Sequence, residues 1–176
     1  MGPALDKFEE AFNKLTVFLA ALVAVSIALI AFLIPLNLFM VKMNLGGIWW
    51  LFEGVEYVLF IGVFIGAPWV LQQNAHVRVD VVISNLPKAA AAKLERFVDI
   101  MGFLLCTLLF IYGVRATIVE FVDMTYPDKD LRIANWFILS FFALSFLLLA
   151  IEFLLRMRRA KVILDKEETA ASEAGF

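Results

Sequence analysis

The chain reads as an all-α integral membrane protein with four transmembrane helices. Both termini are expected on the cytoplasmic side, with short amphipathic helices at the interface. Three observations predict this. Hydrophobic residues make up 63% of the chain, against ~45–50% in soluble domains. Four apolar stretches, Thr16–Val41, Trp49–Leu71, Phe97–Val122 and Ile133–Leu155, take up most of the sequence. Each suffices to cross a ~30 Å hydrocarbon core with ~20 helical residues. Lysine and arginine are also unevenly placed, eleven on the side of the termini and three on the other, with Arg115 inside the third stretch. That bias puts both ends in the cytoplasm.

Residues 1–15 form an amphipathic lead, with Leu5, Phe8, Phe12 and Leu15 at helical spacing and charges on the other faces. Two arrangements fit it: a helix lying in the interface, or a first span that extends out of the membrane. Asp6, Glu9 and Glu10, and the length of the apolar run that follows, argue against a cleavable signal. In the first span Pro35 removes a backbone donor and predicts a kink near Ala31. Lys42–Ile48, with Gly46 and Gly47, is a short outer turn that makes spans one and two antiparallel neighbours. Trp49 and Trp50 are expected to anchor the outer interface.

Between spans two and three, Val79, Val82, Ile83 and Leu86 form an apolar stripe, which predicts a short interfacial helix. The alternation from His76 to Val81 also allows an extended segment. Pro87 suits a first helical turn, and Lys88–Arg96 favours helix, so the third helix should run from about Pro87 to Val122. Asp123–Arg132 is the second outer loop, with a turn at Tyr126-Pro127-Asp128. Residues 156–176 are a tail, basic through Lys161 and then small and acidic, expected to be disordered from Glu167.

Charge within the spans is the usual pointer to function, because each such group costs roughly 2.5–3.5 kcal/mol near a helix centre. The candidates are Glu53, Glu56, Asp99, Arg115, Glu120 and Glu152. By depth Asp99, Glu152, Glu53 and Glu56 read as interface charges, with Glu152 facing Arg156 one turn later. Arg115 has no acid at i+3 or i+4. It is expected to pair across helices with Glu56 or Glu53, holding spans two and three together.

Several classes are disfavoured. A net charge of −2 without a basic stripe argues against nucleic acid. His76 is the only histidine, which excludes a bis-histidine haem, and it falls in the inner connection, away from Ser26, Ser140, Ser145, Thr107 and Thr117 in the spans, so no histidine-activated nucleophile is expected. Cys106 is the only cysteine and reads as a packing residue. No catalytic or phosphate-binding motif is present, so an enzyme is not expected.

The segment leaving span two carries Gly66-x-Pro68-x-x-Leu71, then Ala75-His76-Val77-Arg78-Val79-Asp80-Val81, then Leu86-Pro87. This pattern, following the second of four spans, resembles the DctQ-type small membrane subunit of tripartite ATP-independent periplasmic (TRAP) transporters. The resemblance extends over essentially the whole chain. One difference is Ile133–Trp136, where the family often has a proline entering span four.

The resemblance implies a scaffold in the bacterial inner membrane. Its partners would be a large elevator-type membrane subunit, a periplasmic substrate-binding protein and membrane lipids. It implies no cofactor of its own, with the sodium and organic-anion sites in the large subunit. Gly66, Pro68, Leu71, His76, Arg78, Asp80 and Pro87 would then have structural or assembly roles. The outer loops, with Lys42, Asp128, Lys129 and Asp130, would help dock the periplasmic protein. A self-associating small carrier and a purely structural membrane protein are the alternatives. The first span lacks the embedded acid that small exporters use.

Overall fold

The computed structural model describes residues 3–73 and 88–173. Four helices make up nearly all of this: α1 (Pro3–Lys42), α2 (Leu51–Gln72), α3 (Lys88–Asp123) and α4 (Asn135–Glu173). Each contains a segment long and apolar enough to cross a membrane. His76, Arg78, Asp80 and Pro87, and the interfacial helix expected around them, lie outside the described residues.

α1 runs unbroken through residues 5–15 into the first span. Of the two arrangements open for the lead, the structure has the extended helix. Phe12 explains why: it is buried against Leu148 and Leu155 of α4, so the lead is held by packing. α4 likewise continues as helix to Glu173, beyond the point where composition pointed to disorder.

Across the bundle the helices are ordered α1–α2–α4–α3, not in chain order: α4 packs extensively against both α2 and α3. The reason lies in the side chains. Gly102 and Gly113, about three turns apart on α3, lie where a Cβ would meet Phe153 at 2.5 Å and Phe142 at 3.0 Å. Two large α4 rings thus seat on glycine. Toward α2, the same Phe142 packs edge-on and Phe146 packs tilted against Phe64, with centroids 5.1 and 6.1 Å away. Leu71, Cys106, Leu149 and Ala150 form the buried core where the three helices meet. α1 is peripheral, and none of the residues in its most apolar stretch is buried. It touches α2 through Val23, whose Cγ1 lies 3.3 Å from the position of a Cβ on Gly62.

Pro68 is buried inside α2. Having no N–H, it leaves the Phe64 carbonyl without its helical donor. The fully buried Ser145 of α4 donates its hydroxyl to that oxygen. A helix defect is thereby converted into a link between helices, as membrane bundles require of a freed carbonyl.

Candidate functional site

Polar side chains gather in two layers, one at the end that carries the termini and one at the end that carries the 43–50 and 124–134 loops. At the termini end a chain of contacts joins α1, α2 and α4. The Thr16 hydroxyl donates to Gln72 Oε1 at 2.8 Å and also lies 2.9 Å from the Asn13 carbonyl oxygen. Gln72 Nε2 donates to Glu152 Oε2 at 2.8 Å. The other Glu152 oxygen pairs with Arg159. Arg159 Nε reaches Glu9 at 3.1 Å, and Arg158 reaches Asp6 at 2.8 Å and Glu9 at 3.6 Å. These groups border a cavity of about 310 Å³ lined by Glu9, Asn13, Gln72, Glu152 and Arg159 among others.

Glu152 and Asp99 are 1% and 2% exposed. Depth along the helix reads them as interface charges, and within that end layer both are shielded from solvent. The reason is lateral: neighbouring helices cover both, which distance along one helix cannot reveal. A carboxylate so buried needs a cation and donors. Glu152 obtains them from Arg159 and Gln72 rather than from Arg156. Arg156 instead crosses to α3, with Nε 3.2 Å from Asp99 and Nη2 3.2 Å from Glu95.

At the loop end the acids of α2 hold the second loop. Glu53 accepts the backbone N–H groups of Asp130 at 3.2 Å and Leu131 at 2.6 Å. Glu56 pairs with Lys129 at 2.7 Å, and Lys129 also lies 5.2 Å over the Tyr57 ring. The Tyr57 hydroxyl donates to the Leu131 carbonyl at 3.2 Å. On α3, Glu120 accepts from Thr125 and from Asn135 at the start of α4. The first loop is pinned differently. Asn37, 2% exposed, accepts the Ile48 N–H through Oδ1 at 2.7 Å. Gly46, at φ +84°, supplies the left-handed turn.

The expected pairing of Arg115 with Glu53 or Glu56 is therefore not formed. Both acids serve the 124–134 loop, and α4 separates α2 from α3. Arg115 is exposed on α3, with no ion pair among the described residues.

The remaining sites are placed as follows. Gly66 and Pro68 sit in α2, and Leu71 is in the core. Trp49 and Trp50 stand exposed just before α2. Lys42 ends α1 and is exposed, as are Asp128 and Asp130, whereas Lys129 is occupied by Glu56. Thr16, Asn37, Gln72 and Ser145 were not singled out as contacts by the sequence. Only Ser145 had a signal: a proline within a membrane helix requires a donor for the carbonyl four residues earlier.

A comparison with curated proteins gives no match. Residues 36–161 match the family described as tripartite ATP-independent periplasmic transporters, DctQ component. That span takes in α2, α3, most of α4 and the Pro68 motif, so the chain belongs to the DctQ family of TRAP transporter components.

Proposed function

We propose that this chain is the scaffold subunit of a TRAP transporter. It supports a large elevator-type membrane subunit during sodium-driven uptake of an organic anion. The observation that carries this reading is where the polar groups are used. Thr16, Gln72, Glu152 and Arg159 tie α1, α2 and α4 together, and Glu53, Glu56 and Glu120 hold the loop between α3 and α4. Ser145 ties α2 to α4 within the bundle. Groups committed to joining helices give a rigid wall, which suits a part that stays fixed while another moves. The excess of Lys and Arg at the termini end supports a cytoplasmic side for that end. The loop end then faces the periplasm, and exposed Lys42, Asp128 and Asp130 contribute to docking of the substrate-binding protein. The acidic pair favours a basic patch on that partner.

Reconstitution tests this directly. Vesicles holding this chain alone should leave an organic-anion gradient unchanged. Adding the large subunit and the binding protein should produce sodium-dependent uptake. Uptake by the chain alone would refute the scaffold role.

A further inference from the structure

The face of α3 opposite α4 is an apolar stripe of Leu104, Leu108, Ile111, Tyr112, Ile118, Val119 and Val122, all at least half exposed. Arg115 interrupts it, in a groove of about 300 Å³ lined by Tyr112, Arg115, Ala116, Val119 and Glu120. A guanidinium on such a face requires a negative partner. Among the described residues none pairs with it: Glu53 and Glu56 hold the second loop, and Glu120, in the same groove, turns Oε2 to Thr125 and Asn135.

We propose that this face of α3 is the seat of the large membrane subunit, which supplies a carboxylate to Arg115; the inference rests on the scaffold reading above. Two features favour a protein acid over a lipid phosphate. Arg115 lies about 10 Å along the axis from Val122, well inside the apolar stripe. The nearer membrane surface is at the loop end, whereas α3 begins at the termini end, so its Cα–Cβ bonds tilt away from that nearer surface. The arginine is thus poorly directed to reach head groups there and well placed to meet a neighbouring helix. Ala116, in the same groove, lets a partner backbone approach closely, as small residues do in membrane interfaces.

The test uses the full chain, affinity-tagged and co-expressed with the large subunit. Arg115→Leu should lower recovery of the large subunit roughly tenfold or more, as expected when one member of a desolvated ion pair is removed. Arg115→Lys should retain most of it. Undiminished recovery with Arg115→Leu overturns the inference alone. Failure of the wild-type chain to retain the large subunit overturns the scaffold reading and the inference together. A photo-crosslinker at Val119, with Arg115 intact, gives an answer independent of folding. Crosslinks to the large subunit support the proposal, and crosslinks only to lipid overturn it.

Discussion

The two polar layers contain similar numbers of contacts but different physics. At the termini end the central acids are desolvated: the Asp99 and Glu152 side chains are 3% and 2% exposed. At the loop end Glu56 is 64% exposed, and much of the work is done by backbone N–H groups donating to Glu53. Coulomb attraction between wet groups is largely screened, so the Lys129–Glu56 pair orients a loop more than it stabilises a fold. A buried carboxylate is a different case, because removing its cation leaves a charge with no solvent to replace it. The termini end is therefore where the helices are fixed, and the loop end is where a surface is shaped.

The largest effect should come from Arg156→Met, which removes a guanidinium from buried Asp99 and from Glu95. The expected loss is about 3 kcal/mol, read as a lowered melting temperature in detergent. Gln72→Leu should follow, at about 2 kcal/mol, because it removes a donor from Glu152 and the acceptor of Thr16. A melting temperature unchanged by either substitution would show that the buried layer does not hold the helices.

Ser145→Ala should cost about 1–2 kcal/mol by abandoning the Phe64 carbonyl. The double change with Pro68→Ala should recover part of this loss, since alanine returns the N–H that proline lacks. Additive losses in that pair would break the proposed link. Smallest of all is Lys129→Met, which should leave melting unchanged while speeding proteolysis of the 124–134 loop.

The hydrogen bond to Glu56 holds the Lys129 ammonium above its ordinary value of 10.5, with attraction to Glu56, Tyr57 and Glu53 adding to it and partial desolvation opposing. A raised ammonium pKa means the tether is fully present below the unfolded value and lost as pH rises through the folded one. Loop protection should therefore be flat from pH 7 to 9 and fall only above about 10.5.

The spans were legible because unbroken apolar runs leave no other reading, and each of the four stretches falls within one helix or its entry. Lateral order was not legible. A pairing of Arg115 with Glu53 or Glu56 needs spans two and three to adjoin, whereas Gly102 and Gly113 give α3 a seat for Phe153 and Phe142 of α4. The pair of glycines was visible in the sequence, but their ring partners lie about thirty and fifty positions further on in the fourth span. Gln72 at the end of α2 and Thr16 at the start of the first apolar stretch look like ordinary polar residues, and only the convergence of α1, α2 and α4 makes them a network. The Glu53 contacts with the loop go to backbone, which no pairing of charges in a sequence can suggest.

The order α1–α2–α4–α3 also bears on how the chain is made. When α3 leaves the ribosome and enters the bilayer, the helix it must lean on has not been synthesised. Asp99 and the two glycine hollows then lie open to lipid or to the insertion machinery until the rest of the polypeptide emerges. Completion of this subunit is consequently a late event in its biogenesis, governed by arrival of the final helix.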